Sequence, residues 1–138
     1  MIAKILVAYD GSEPAEHAFE VGVELAERLA ARLRVVAVVR PPDPASEAEL
    51  AAVLESGTER YRELLAPLEE MAKRRGISCR FEVVAGHPVE RICTLAEEGG
   101  DDLIVVGHRS KGFFARLLVG SVSKQVVSHA PCSVLVVR

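Results

Sequence analysis

The sequence predicts a doubly wound α/β fold, with an open five-stranded parallel sheet in the order 3-2-1-4-5 and helices on both faces. Five short runs are mostly β-branched and continuous instead of cleanly alternating with polar residues, as in strands that are buried on both faces. Segments with helical periodicity separate these runs, and right-handed crossovers then wind the sheet. Two polar loops leave the first and fourth strands, and they share one crevice only if these two strands are neighbours, which fixes the order.

The predicted strands are runs of four to eight residues without clean polar alternation. With the order above, the last of them lies at an edge of the sheet. An exposed apolar edge invites pairing with another chain, so a two-fold related copy is the expected partner there. The five strands are predicted at Lys4–Tyr9, Leu33–Val39, Ile77–Val84, Leu103–Val106 and Ser133–Val137.

The first two helices have clear start and stop signals. Ser12 is a good N-cap, and Pro14 stands where a missing N–H is harmless. The second helix spans Ser46–Arg75, where Pro67 predicts a kink or a division into two shorter helices. Its inward face is expected to carry Leu50, Leu54, Tyr61, Leu64, Leu65, Leu68 and Met71.

The remaining two helices are shorter. The third is predicted at Pro88–Glu98, and the fourth begins near Ser121 and ends before Pro131. Periodicity directs Val89, Ile92, Cys93 and Ala96 of the third helix and Val122, Val126 and Val127 of the fourth toward the core.

Composition narrows the class of protein. A chain of 138 residues fits one domain, taken as residues 1–138, and a net charge of −3 argues against a nucleic-acid partner. Its three cysteines are widely spaced and form no CxxC, which predicts buried, reduced thiols in a cytosolic protein. No signal peptide or membrane span is recognisable, so the expected location is the cytoplasm.

The loop from Gly107 to Gly120 has the composition of an anion site. Gly107 frees the backbone at the end of a strand, and Gly120-Ser121 immediately precedes a helix, whose unpaired N–H groups and dipole attract anions. The hydroxyls of Ser121 and Ser123 can donate to phosphate oxygens. The alternative is that the glycines only turn the chain and Ser121 only caps the helix. Neither GxxxxGK[ST] nor GxGxxG occurs, which disfavours a P-loop enzyme or a flavin or nicotinamide enzyme.

Other polar residues have simpler interpretations. His108 suggests no catalytic triad, since no nucleophile is suitably spaced, and no residue is assigned a catalytic role. Among the acids, Asp10 is the one expected to function. We expect His17 and His129 at solvent-facing or helix-end positions, His87 before a helix, and Asp101 and Asp102 as caps of the turn into the fourth strand.

Four segments together resemble the universal stress protein family over essentially the whole chain. They are the opening KILVAYDGSEPAEHA, then GHPVERI, DDLIVVG and the closing GSVSKQVVSHAPCSVLVVR. Nucleotide-binding members have the signature G-x2-G-x9-G-[ST]. This chain reads Gly107-x2-Ser110-x9-Gly120-Ser121, so the spacing is intact and the second glycine is replaced.

The resemblance implies a doubly wound domain, a homodimer and, in one branch of the family, bound ATP. Asp10 would then lie near the ribose, the phosphates or their Mg²⁺, and Ala8 and the backbone around Val38 would frame the adenine. The residues that would surround the phosphates are Gly107, Arg109, Ser110, Gly120, Ser121, Val122 and Ser123.

Ser110 separates two functional hypotheses. If its backbone needs a positive φ, a residue other than glycine costs about 1–2 kcal/mol, roughly a five- to thirtyfold loss of affinity, which weakens binding without abolishing it. The first hypothesis is a stress-response regulatory module that binds ATP or a related adenine nucleotide, with slow hydrolysis at most because no general base is evident. The alternative is a nucleotide-free dimeric interaction module with an unknown protein partner and an architectural glycine loop.

Overall fold

The structure is a computed structural model that describes residues 1–108 and 121–138, with Ser121 described by its backbone alone. Within these residues every predicted strand and helix is present, and each predicted bound is correct to within two residues. The strands are β1 (Lys4–Ala8), β2 (Arg32–Val39), β3 (Cys79–Ala85), β4 (Leu103–Gly107) and β5 (Ser133–Val137). The helices are α1 (Glu13–Leu29), α2 (Glu47–Arg74), α3 (Pro88–Gly99) and α4 (Ser121–His129).

The sheet has the predicted order β3-β2-β1-β4-β5, and all of its strand pairs are parallel. β1 lies at its centre, where Val7 pairs with Val35 of β2 on one side and Val105 of β4 on the other. The chain winds outward from β1 to β3, then returns across the sheet and winds outward from β4 to β5. The winding direction therefore reverses between β1 and β4.

Two apolar layers cover the two faces of the sheet. α1 and α2 pack on the first face, where Phe19 is completely buried and contacts Phe81 at a ring separation of 6.3 Å. α3 and α4 cover the second face, where Ile92 and Val126 pack against Leu6 and other aliphatic side chains of the strands. Burying each large side chain of this kind contributes about 1.5–3 kcal/mol, so both faces of the sheet contribute to stability.

Two features of α2 differ from expectation. Of the kink or division predicted at Pro67, the division is wrong, because the helix continues through this residue. Tyr61, Leu65 and Leu68 are buried on the first face, and their packing holds the helix together despite the hydrogen bond that proline removes. Leu50 and Leu54, expected to point into the core, are 43% and 37% exposed.

The cysteines also differ from expectation. Cys79, Cys93 and Cys132 are each partly buried, so the prediction of full burial is wrong. Desolvation still raises the pKa of all three thiols, that of Cys79 to about 12. A thiol with a raised pKa is mostly protonated at neutral pH, which makes it a weak nucleophile.

Candidate functional site

The reversal of winding creates a crevice at the carboxyl ends of β1 and β4. The chain leaves β1 at Ala8 toward α1 on the first face, and it leaves β4 at Gly107 toward α4 on the second face. The two connections therefore diverge above neighbouring strands. Doubly wound sheets bind their ligands in this position.

A contact between Gly107 and Pro14 holds the two sides of the crevice together. A Cβ atom on Gly107 would lie 2.8 Å from the carbonyl carbon of Pro14 and 2.9 Å from its oxygen, closer than real Cβ atoms approach a backbone. Gly107 is not among the glycines with a positive φ. It is therefore required by its packing against the start of α1, not by the backbone freedom that the sequence suggested.

Asp10 is fixed in the turn that connects β1 to α1. Its Oδ1 accepts hydrogen bonds from the backbone N–H of Ser12 at 3.0 Å and from the Ser12 hydroxyl at 2.5 Å. The same hydroxyl oxygen accepts from the N–H of Ala15 at 3.2 Å, so Ser12 caps α1 as predicted. The cap thus orients the carboxylate at the mouth of the crevice.

A tyrosine pair that the sequence analysis missed lies next to Asp10. Tyr9 is buried, donates to Oε1 of Glu16 at 2.7 Å, and meets Tyr61 edge to face at 6.5 Å. Burial first, and then Glu16 and Asp10, raise the pKa of Tyr9 far above its usual range. The pair is neutral at physiological pH and anchors the turn to α2.

Ala8 and Val38 lie on the same face of the sheet, against the second apolar layer. β2 extends beyond β1, because Ala8 is the last residue of β1 and pairs with Val36. The carbonyl of Val36 accepts from Tyr9 N–H at 2.9 Å, whereas that of Val39 accepts from Gly86 on the β3 side. Backbone groups alternate in direction along a strand, so the N–H and C=O of Val38 point into the space beyond the end of β1.

The first turn of α4 closes the crevice on the β4 side. Ser123 is buried and its hydroxyl donates to the carbonyl of His108 at 3.4 Å, which ties the helix start to the end of β4. Val122 packs against the second apolar layer. The positive end of the helix dipole lies at this turn and favours a bound anion.

The structure therefore brings six of the ten predicted site residues to one end of the sheet. These are Ala8, Asp10, Val38, Gly107, Val122 and Ser123. Arg109, Ser110 and Gly120 lie outside the described residues, and Ser121 is described by its backbone alone.

The two acids before β4 have different roles. Asp102 accepts from the backbone N–H groups of Ala3 and Lys4 at 2.8 and 3.0 Å, which joins the starts of β4 and β1. Asp101 was also expected to cap this turn, but it forms a buried ion pair with Arg34 at 2.5 Å. Arg34 also donates to the carbonyl of Leu95 at 2.7 Å. The only sign of this ion pair in the sequence was Arg34 itself, a charged residue inside an otherwise apolar strand.

Three of the four histidines lie outside the predicted site, whereas His108 directly follows Gly107 at the end of β4. Nδ1 of His17 is 3.1 Å from the carbonyl of Arg138, and Nδ1 of His129 is 2.8 Å from that of Gln125, both at exposed positions as predicted. His87 occupies the N-cap of α3, as expected for a residue before a helix, and makes no side-chain capping bond. His87 and His129 line a groove of about 400 Å³ between α3 and α4, together with Val89, Glu90, Cys93, Thr94 and Gln125.

Residues 1–108 and 121–138 contain no group of three or more His, Cys, Asp or Glu side chains arranged to hold a metal ion. In the same part of the chain, no helix has both the length and the apolar character needed to cross a membrane.

The fold is that of a doubly wound α/β protein, and its crevice lies at the topological switch point of the sheet. The universal stress protein family model matches residues 1–138, and the chain belongs to that family. The resemblance recognised in the sequence is thereby confirmed.

Known relatives agree with this assignment. A putative universal stress protein of Staphylococcus haemolyticus is 39% identical over 137 residues, which cover 97% of this chain and 83% of the relative. The universal stress protein UspA from Lactobacillus plantarum has the same fold, with a TM-score of 0.82, 28% identity, and coverage of 99% of this chain and 98% of its own. A universal stress protein solved in complex with cAMP matches with a TM-score of 0.68 and 25% identity, over 99% of this chain and 97% of its own.

Proposed function

We propose that the protein binds ATP or a related adenine nucleotide in the crevice between β1 and β4, and acts as a cytoplasmic regulatory module in the stress response. The observation that carries the proposal is the crevice at the adjacent carboxyl ends of β1 and β4, where Gly107 packs against Pro14 at the start of α1. The cAMP complex of a family member supports an adenine nucleotide as the ligand class. Residues 1–138 would act as one domain.

The base would bind at the end of β2. Val38 directs one N–H and one C=O toward the space beyond β1, and this pair matches the ring nitrogen acceptor and the exocyclic amino donor of adenine. Ala8 lies on the same face as Val38 and supplies apolar surface for the ring. Ligand sites commonly combine an apolar lining with a few oriented polar groups, as here.

The phosphates would bind at the start of α4. The N–H groups of Val122 and Ser123 lie in the first turn, where the helix dipole favours negative charge. Arg109, Ser110, Gly120 and the Ser121 side chain are included on the spacing of the family signature. Asp10, whose carboxylate is oriented by Ser12, would approach the ribose or a Mg²⁺ ion carried by the phosphates.

A titration of Mg²⁺–ATP into the purified protein by isothermal calorimetry tests this proposal. We expect micromolar binding, lost in Gly120→Val because a side chain there would obstruct the phosphate loop. Ser110→Gly should tighten binding roughly five- to thirtyfold if the backbone needs a positive φ at this position.

Two other outcomes have distinct meanings. Binding by Ser110→Gly alone would mean that this serine has switched off the site. Absence of binding by all three proteins would overturn the nucleotide proposal and favour the interaction module without a nucleotide.

We also propose that two copies pair through β5. This strand lies at the edge of the sheet, and its Val136 is 39% exposed; Val127 of α4 is 55% exposed. The Val137 carbonyl accepts from His108 N–H on the β4 side, so the backbone groups of Val136 point outward, where a second copy could pair with them.

Sedimentation velocity of the wild type and of Val136→Pro tests the dimer. The proline removes an outward N–H and leaves the bonds from β5 to β4 intact, so we expect a wild-type dimer and a folded monomeric variant. Val127→Glu is the matched control, because it removes exposed apolar surface but keeps its backbone donor. It should weaken the dimer less than Val136→Pro does. A monomeric wild type, or a dimeric Val136→Pro, would contradict the proposal.

A further inference from the structure

The first ten residues of α2 extend beyond the sheet. The helix has 28 residues and is about 42 Å long, whereas the eight residues of β2 span about 26 Å. Gly57 contacts Val39, the last residue of β2, so closely that a Cβ atom on Gly57 would lie 2.3 Å from its Cγ2. Residues 47–56, which we call the α2 extension, therefore project about 15 Å past the end of β2.

The α2 extension has an apolar side that the described residues do not bury. Leu54 and Leu50 precede Tyr61 by seven and eleven residues and so continue the stripe that Tyr61, Leu65 and Leu68 bury further along the helix. Yet both leucines are substantially exposed, and no residue of the extension is buried. The apolar stripe of α2 therefore continues beyond the part of the helix that packs on the core.

The charge of the α2 extension has one sign. It contains Glu47, Glu49 and Glu55 and no lysine or arginine, which gives it a net charge of −3. A second copy of the same helix would bring like charges together, whereas lysines or arginines beside an apolar stripe would complement it.

A fixed helix start adds to the argument. The Ser46 hydroxyl oxygen accepts from the N–H of Glu49 at 3.1 Å, and Glu47 and Glu49 lie in the first turn, where acidic side chains favour the helix dipole. The cap and the acids of the first turn thus stabilise the extension as a helix, although the described part of the chain buries none of its residues. Amphipathic helices that present an unpaired apolar stripe commonly bind a partner along it.

We infer that the α2 extension is a docking surface for a basic amphipathic helix of another protein, with Leu50 and Leu54 as its apolar anchors. The glutamates on either side of the anchors would pair with lysines or arginines of that partner. The observations behind this surface concern α2 alone, and the inference does not depend on nucleotide binding.

The test uses the full chain without nucleotide and a fluorescent amphipathic peptide of leucine and lysine, followed by anisotropy. We expect Leu50→Gln/Leu54→Gln to weaken binding by about tenfold or more, as for the anchors of an interface. Glu47→Gln/Glu49→Gln/Glu55→Gln should weaken binding and reduce its dependence on salt. Glu69→Gln/Glu70→Gln, at exposed positions near the other end of α2, is the matched control and should leave binding unchanged.

Hydrogen exchange provides the second readout. Amide protons of residues 47–56 should exchange quickly in the free protein and slow down when the peptide binds. Strong protection in the free monomer would mean that the chain covers this side itself and would overturn the inference. So would self-association that the leucine variant abolishes, equal binding of a peptide with glutamate in place of lysine, or equal peptide binding by the leucine variant.

Discussion

Two single side chains just before β4 connect the start of this strand to β2 and to the start of β1. Asp101 and Asp102 are adjacent in the chain, yet the first forms an ion pair with Arg34 and the second binds two backbone N–H groups of another segment. The difference follows from alternation, since successive side chains on an extended segment point in opposite directions. Neither acid is near the crevice, which leaves Asp10 as the acid at the site.

The Asp102 carboxylate should make stability depend on pH. The N–H groups of Ala3 and Lys4 lower its pKa in the folded protein, so its contribution is present above the ordinary carboxyl pKa of about 3.9 and is lost as the pH falls through the folded-state value. We expect Asp102→Asn to lower the urea midpoint at pH 7 and to differ little from the wild type near pH 2. Asp43→Asn, in an exposed loop, is the control; an equal decrease at both pH values would contradict this assignment.

At the residue level, local chain signals were enough to predict the start of α1, since Ser12 is its N-cap as expected. Asp10 was singled out because it stands where a buried strand ends and a capped helix begins. Ala8 was assigned only through the family resemblance, and the roles of both residues stay predictions. The role of Arg34 was not predictable, because its partner Asp101 is 67 residues away and no local pattern connects them. The packing of Gly107 on Pro14 also needed coordinates, although the glycine itself was singled out from the sequence.

At the scale of elements, α2 departs most from expectation. Periodicity gave its length and its buried side, but periodicity does not reveal where the sheet beneath a helix ends. Leu50 and Leu54 therefore looked like core residues although they lie in the α2 extension. The prediction at Pro67 considered only the local cost of a proline inside a helix. Buried neighbours on the same helix keep the helix continuous at this position.

Replacement of Pro67 measures the free-energy cost of a proline inside α2. Pro67→Ala restores an N–H that can bond to the carbonyl of Glu63 and relieves the clash of the ring, while the unfolded chain gains conformational freedom. We expect a net stabilisation of about 1–2 kcal/mol in urea unfolding. Ala66→Gly, at the exposed neighbouring position, should instead destabilise by about 1 kcal/mol. A less stable Pro67→Ala protein would show that the helix is adapted to the proline.

At the scale of the whole molecule, the strand order was predictable because one functional argument constrained it. Two loops with polar and glycine residues had to share a crevice, and the order with β1 beside β4 places them together. Right-handed crossovers then fixed which connections lie on which face. The proposed pairing of copies through β5 also follows from topology, since an edge strand is defined only once the order is known.

Methyl NMR during an ATP titration tests the central claim, that the nucleotide binds at the β1–β4 crevice, most directly. The account predicts that Mg²⁺–ATP shifts the methyl signals of Ala8, Val38 and Val122, which lie around the crevice, and leaves those of Leu68 and Met71 under α2 unchanged. Shifts concentrated at Val89 and Thr94 would place the ligand in the groove between α3 and α4 and would contradict the claim.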